Sequence, residues 1–237
     1  MRKLAALAFC FVLSFVALPL VRAQDSAENT VLKTTVRLQL QRAEGNELVT
    51  GHGAAFAVDL SDVGLTRPRY LLSAAHLVLD RYGRRAPGHL TIEVDHNGRK
   101  VWEACKVVAV NRDADLCLLE SPVDLPNLAR LGRGDERVGE ALLIVGCPKG
   151  VPPCVSHGQL TSKEPPVSGE LWEARAKFWH GNSGGPVFDA KNQTLAGVAV
   201  AGGMDDTGDM DPHTALFTPM PVVRKFLKDA IRSTVND

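Results

Sequence analysis

Net charge is missing from this sequence: lysine and arginine together number 27, and aspartate and glutamate together number 27. With no basic excess to meet a phosphate backbone, nucleic acid is not expected as the main partner. A cysteine pair at the two-residue gap of a zinc knuckle is also missing. Beyond Cys10 the thiols are Cys105, Cys117, Cys147 and Cys154, and no two of them have that spacing. Neither a metal nor a cofactor is expected. Helices long enough to separate successive strands are absent as well, which disfavours a parallel α/β fold.

The chain opens with a basic start, Met1-Arg2-Lys3, an apolar run from Leu4 to Leu20, and Val21-Arg22-Ala23. That layout is a secretory leader, residues 1–23, with cleavage after Ala23. The competing reading is a membrane anchor, but the apolar run is at the lower limit of length for one. The small residue at its end and the polar Gln24-Asp25-Ser26 favour removal, so no membrane insertion is expected afterwards. Cys10 lies inside the apolar run after Phe9 and does not suit a lipid anchor. The protein is therefore expected to be exported, periplasmic or secreted, where disulfides are possible. A Cys147–Cys154 bridge would close a short hairpin loop. Cys105 and Cys117 stand symmetrically about Asn111, as facing residues of a hairpin or as free buried thiols.

The remainder, roughly 210 residues, is enough for one large or two small domains. Short apolar or alternating runs recur throughout it. Val36, Leu38 and Leu40 alternate with polar neighbours; Tyr70-Leu71-Leu72-Ser73 and Asp115-Leu116-Cys117-Leu118-Leu119 read as buried strands; Lys100 to Val110 reads as one strand. Residues 122–134 hold Pro122, Pro126, Gly132 and Gly134 and no period, and are taken as a linker. The run of short strands resumes over 135–219, with Gly202 to Asp211 as an acidic surface loop. Residues 220–235 form the one convincing helix, with Val222, Phe226, Ala230 and Ile231 on one face. About a dozen strands and a terminal helix make an all-β protein, in two groups, 31–121 and 135–219, with a cleft between them.

The stretch His180-Gly181-Asn182-Ser183-Gly184-Gly185-Pro186 sets one hydroxyl among glycines. Small residues let the backbone turn tightly there, and successive N–H groups of such a turn can bind a developing negative charge. Alone, it is equally a tight turn between strands. Serine chemistry also needs a base and a carboxylate that orients it. His76 suits the base, since it emerges from a buried strand after Ser73-Ala74-Ala75. Asp113 and Asp115 compete for the third role. Asp115 opens an apolar strand, where a charge needs a partner; Asp113 lies in the turn and is expected to cap it.

Ser-Ala-Ala-His at 73–76, Asp-Leu-Cys-Leu-Leu at 115–119 and Gly-Asn-Ser-Gly-Gly-Pro at 181–186 occur in the order His, Asp, Ser. With Gly-His-Gly-Ala-Ala-Phe-Ala-Val from Gly51, Val138 to Gly150 and Leu-Ala-Gly-Val-Ala-Val from Leu195, the chain resembles trypsin-like serine peptidases of the chymotrypsin fold. Within them it is most similar to the HtrA/Deg-type protease domain. The resemblance implies two antiparallel six-stranded β-barrels followed by the helix, with the site at their junction. It implies His76 as general base, Asp115 as its orienter, Ser183 as nucleophile, and the N–H groups of Gly181 and Ser183 as the oxyanion hole. Substrates would be polypeptides, cleaved through an acyl-enzyme, with activity rising with pH through the neutral range because the base must be neutral.

Some positions depart from the pattern. Asn182 stands where digestive enzymes carry an aspartate that pairs with a new N-terminal amine, so no activation cleavage is expected beyond loss of the leader. The chain ends soon after the helix, so the C-terminal PDZ module of HtrA-like enzymes is not expected. Phe178, Trp179 and His180 are bulky for positions just before Gly181. They are expected to narrow or distort the primary specificity pocket, or to hold an inactive loop. By the same matching Val200, Ala201 and Gly202 edge that pocket and Ala215 forms its wall, which favours a small aliphatic side chain. Lys177 near the floor would instead favour an acidic one. The alternatives to an endopeptidase are a catalytically silent module that binds peptides or a partner in the same cleft, and an ester hydrolase with the same machinery.

Overall fold

Alternation of apolar and polar residues from Thr35 onward builds the first strand, β1 (Thr35–Glu44), which pairs antiparallel along its whole length with β2 (Glu47–Ala57). The computed structural model describes residues 28–44, 47–80, 82–164, 170–205 and 207–235. The leader, its cleavage site, Cys10 and the turn expected at Gly45-Asn46 lie outside the described residues. Residues 28–32 form a helical turn where a loose start leading into a strand at Val31 was expected.

Strands β3 (Tyr70–Ser73), β4 (His89–His96), β5 (Arg99–Ala104), β6 (Lys106–Asn111) and β7 (Leu116–Glu120) complete a seven-stranded sheet in the order β5-β4-β1-β2-β3-β7-β6. The sequence implies six strands here. The difference arises at Cys105, where the run expected as one strand turns a corner. The part before it pairs with β4 and the part after it with β7. The two edges of the sheet are thus consecutive in the chain, and the sheet curls on itself without a closing ladder.

The second group is a closed six-stranded barrel, in the order β10-β13-β12-β11-β8-β9. Its strands are β8 (Ala141–Gly146), β9 (Cys154–Ser162), β10 (Trp172–Ala176), β11 (Pro186–Asp189), β12 (Leu195–Met204) and β13 (Met210–Pro219). Both ends of the expected acidic loop from Gly202 to Asp211 are strand, Gly202–Met204 and Met210–Asp211. β12 and β13 run through it to a tight turn, where the Asp205 carboxylate accepts from the N–H groups of Thr207 and Asp209.

Three apolar clusters fill the molecule. One lies within the first sheet, with Leu38, Leu71, Ile92 and Leu119; another lies within the closed barrel, with Ile144, Val187, Ala215 and Phe217. The third joins the two halves. Phe56, Leu72, Leu116 and Leu118 meet Leu143, Val145, Phe188 and Val198, and the terminal helix α1 (Met220–Val235) packs on them. The helix buries Val223, Phe226, Leu227 and Ala230, the i, i+3, i+4, i+7 stripe. Each large side chain so buried contributes about 1.5–3 kcal/mol. Phe226 and Ala230 lie on the buried face as the sequence implies, but Val222 and Ile231 are only partly covered, and the stripe turns instead through the buried Val223 and Leu227. Arg224 on the same helix donates to the Gly132 carbonyl at 3.0 Å, tying the helix to the segment between the two halves.

Candidate active site

β3 sits between β2 and β7 and ends at Ser73. A single 3₁₀ turn, Ala75–Leu77, follows and lifts the His76 side chain out of the sheet. The turn is held by Asp115. Its backbone carbonyl accepts from Ala75 N–H at 3.1 Å, one carboxylate oxygen accepts from His76 N–H at 2.8 Å, and the other lies 2.7 Å from His76 Nδ1. A carboxylate can only accept, so the Nδ1 proton points at Asp115, and in the neutral imidazole it is Nε2 that keeps the lone pair. Asp115 itself adopts a left-handed backbone, φ +50°, at the end of a turn closed by Asp115 N–H on the Arg112 carbonyl. Asp113 is exposed and has no contact with His76 among the described hydrogen bonds. Nor does it cap its turn as expected; the Asn111 side chain does, accepting from Ala114 N–H at 3.0 Å.

Ser183 is brought to the same place by β2. The Ser183 carbonyl accepts from Ala54 N–H at 2.9 Å. The next residue, Gly184, has φ +83° and so little room that a Cβ would lie 2.2 Å from the Ala54 carbonyl oxygen and 2.3 Å from Ser73 Oγ. Ser183 is thus locked against the strand end from which His76 emerges. Its hydroxyl donates to the Val200 carbonyl at 3.2 Å, and no hydrogen bond joins it to the imidazole.

The turn before Ser183 has a defined shape. Asn182 N–H donates to the Trp179 carbonyl at 3.0 Å, and Gly181, third of the four residues, has φ +101°. That is a type II turn, which requires a residue tolerant of positive φ at this position. Two further bonds fix it from outside: Lys149 N–H to the His180 carbonyl at 2.7 Å, and Cys147 N–H to the Gly181 carbonyl at 3.1 Å. Because the peptide is trans and planar, the Gly181 N–H points away from the Lys149 side. Neither it nor the Ser183 N–H is used in any hydrogen bond among the described residues. The buttress at 147–150 was missed in the sequence, where Pro148-Lys149-Gly150 signals a turn but says nothing of its contacts. Behind it, Arg37 donates to the Gly150 carbonyl at 2.9 Å while pairing with Glu93.

Cys147 and Cys154 are not bridged, and the four described thiols are free. Cys154 stands in register with Gly146, one residue short of Cys147, and the buried Cys147 thiol faces the Val36 carbonyl. Cys117 pairs in register with Val110 rather than Cys105, because the hairpin turns over Arg112–Asp115, closed by Asp115 N–H on the Arg112 carbonyl, and not about Asn111.

The specificity residues separate. Phe178 does not line open space: it is 2% exposed, within the barrel core beside Ala215. Lys177 is exposed and does not sit on a pocket floor. Trp179 and His180 are also exposed, and the Lys149 ammonium lies 5.8 Å from the centre of the Trp179 ring. Val200 is buried, Ala201 and Gly202 are half-buried. A cavity of about 630 Å³ between the start of β1, the end of β4 and residues 123–127 holds none of these residues. Among the described residues, no three His, Cys, Asp or Glu side chains converge as metal ligands.

Comparison with known proteins places the fold. In fold, the chain is similar to the HtrA-type protease AlgW with a bound tripeptide, with a TM-score of 0.70 and 21% identity over 89% of this chain. It spans 64% of the AlgW chain. It is also similar to the active form of the Rv3671c protease from M. tuberculosis, with a TM-score of 0.65 and 17% identity over 85% of this chain and 82% of that one. The sequence profile of the trypsin-like peptidase domain matches residues 53–198, from β2 into β12. With more than half of its length matched and the corresponding fold around it, this chain belongs to the trypsin-like peptidase domain family.

Proposed function

We propose that this protein is an exported serine endopeptidase in which His76, Asp115 and Ser183 form the catalytic triad. The observation that carries the reading is the double hold of Asp115 on His76, at 2.7 and 2.8 Å, which fixes both the position and the tautomer of the imidazole. The reading requires the Ser183 hydroxyl to leave the Val200 carbonyl and turn toward Nε2 by rotation about its Cα–Cβ bond. Ser183 Oγ then attacks the peptide carbonyl while Nε2 takes its proton. The oxygen that gains negative charge is received by the N–H groups of Gly181 and Ser183, aimed before the reaction begins. His76 returns the proton to the departing amine, leaving an acyl-Ser183. Water, deprotonated by the same imidazole, releases the acid. Asp115 stays charged throughout and stabilises the imidazolium.

The test is hydrolysis of an unfolded polypeptide such as reduced casein. The wild type cleaves it, whereas Ser183→Ala and His76→Ala, with unchanged circular dichroism, do not. Cleavage that persists in Ser183→Ala overturns the assignment. The second reading, a silent peptide-binding module, draws on the Ser183 hydroxyl being engaged with Val200 rather than with the imidazole. It predicts saturable peptide binding by wild type and Ser183→Ala alike, with no product from either. Export rests on residues 1–23; recovery of the protein outside the cytoplasm with Gln24 as its first residue supports it, and an intact leader in the cytoplasm contradicts it.

A further inference from the structure

From the structure we infer that Phe178 and Met210 together close the pocket for the residue before the scissile bond, so that only glycine or alanine is accepted there. The inference rests on the proposed endopeptidase function and names the substrate class of that same site.

The Val200 carbonyl accepts from the Ser183 hydroxyl at 3.2 Å, so in the proposed reading the residue before the scissile bond would lie between two walls, the turn from Phe178 to Ser183 and the stretch Val200–Gly202 of β12. That stretch has a free flank, since β11 pairs with β12 only as far as Val198. Small residues, Gly202 and its register partner Ala215, would leave room between the walls. The chain fills that room itself. A Cβ on Gly202 would lie 2.8 Å from Met210 Cγ, 3.0 Å from Met210 Sδ and 3.4 Å from Phe178 Cδ1, so the face of Gly202 is already covered at van der Waals distance. Phe178 is 2% exposed and packed in the barrel core, and its backbone N–H donates to the Pro212 carbonyl at 3.0 Å, so core packing and a backbone bond both hold it in place. Met210, at the start of β13, is half-buried and unbranched. It is the softer of the two, and the one whose removal reopens the space.

Glycine occurs at 202 in the sequence as an edge of an expected pocket, but its partner on the other side, Met210, lies in what reads as a surface loop. The occlusion is visible only once β12 and β13 are seen to continue through that region.

The experiment uses the full protein and a matched set of peptides that differ only at the residue before the scissile bond: glycine, alanine, leucine or phenylalanine. A small fluorophosphonate first reports whether Ser183 is reactive. The wild type is expected to form the adduct, to cleave after glycine and alanine, and to cleave after leucine or phenylalanine about 100-fold less well or worse. Met210→Ala, checked for folding by its thermal transition, is expected to raise the leucine-to-alanine ratio of kcat/KM at least about tenfold. Phe178→Ala removes a core ring, so the decisive variant is Met210→Ala. A reactive wild type that cleaves after leucine or phenylalanine as readily as after alanine overturns the occlusion and leaves the endopeptidase standing. So does a Met210→Ala ratio equal to that of the wild type. A folded wild type with no adduct and no cleavage overturns the endopeptidase, and the inference falls with it.

Discussion

The Lys149 N–H grips the His180 carbonyl at 2.7 Å, from a turn in the second barrel that Arg37 of the first sheet holds through Gly150. This contact decides which way the peptide between His180 and Gly181 faces, and therefore where the Gly181 N–H points. The alternative type I turn would need a negative φ at Gly181 and would point that carbonyl where the N–H now lies. A Cβ at Gly181 meets both obstacles at once. Its φ of +101° is costly for any side chain, and the Cβ would sit 2.2 Å from the Cys147 carbonyl oxygen. Gly181→Ala is expected to lower kcat by about 10²–10³, the scale of one lost oxyanion donor, while the fold persists. Steady-state kinetics with circular dichroism checks this; activity within twofold of wild type contradicts it.

Asp115→Asn isolates the carboxylate. Asparagine tolerates the left-handed backbone that this position adopts, so the change leaves the turn in place. An amide can present its N–H₂ to Nδ1 and so favour the wrong tautomer of His76. The expected loss is about 10⁴ in kcat near neutral pH, with thermal stability little changed. A loss below tenfold would mean that Asp115 positions the turn and nothing more.

Two buried carboxylates give stability opposite slopes with pH. For Glu93, burial acts against the charge, but the hydrogen bond and charge of Arg37, with Lys100 beside it, outweigh that and hold the carboxyl below its ordinary value of 4.5. The unfolded chain therefore binds the proton more readily, and this contribution is present above about pH 4.5 and lost as the pH falls through the folded value. Glu136 is the reverse case. Burial raises its carboxyl above 4.5, and one of its oxygens has no partner among the described residues. Here the folded state binds the proton more readily, so stability falls as pH rises above 4.5. Glu93→Gln is expected to cost about 1–3 kcal/mol at pH 7 and progressively less as the pH falls below 4.5. Glu136→Gln is expected to raise Tm at pH 7, with the gain vanishing at pH 4. Calorimetric Tm across that range checks both signs.

The cysteines offer a chemical check on the packing. Burial pushes the Cys105 and Cys147 thiols up to about 12, raises Cys117 as well, and raises the exposed Cys154 less. Thiol titration in denaturant without reductant is expected to find all four, plus Cys10 if the leader remains. In the folded protein Cys154 is expected to react first. A count two lower would mean a bridge that the structure does not contain.

The elements carrying His76 and Asp115 could be read from the sequence because they border the apolar runs at Leu71-Leu72 and Leu116–Leu119, whereas Ser183 is marked by the glycines on either side of it. Asp115 borders Leu116 and Cys117, but it was the resemblance that chose it over Asp113. What could not be read depends on backbone direction or distant contacts. The corner at Cys105 splits one alternating run without any glycine or proline to mark it. The hold of Lys149 on His180 joins backbone groups about thirty residues apart, whose side chains carry no trace of it. Phe178 looked like a pocket residue because of its neighbours, yet its alternate position along the chain from exposed Lys177 and Trp179 places it in the core.

The central claim is that Ser183 is made nucleophilic by His76. The most direct measurement is the mass of the folded protein after reaction with a fluorophosphonate. The account predicts one adduct, located on Ser183 by peptide mapping, that is abolished in Ser183→Ala and slowed at least about 10³-fold in His76→Ala. A folded wild-type protein that stays unmodified, or one that is modified just as fast without His76, would contradict it.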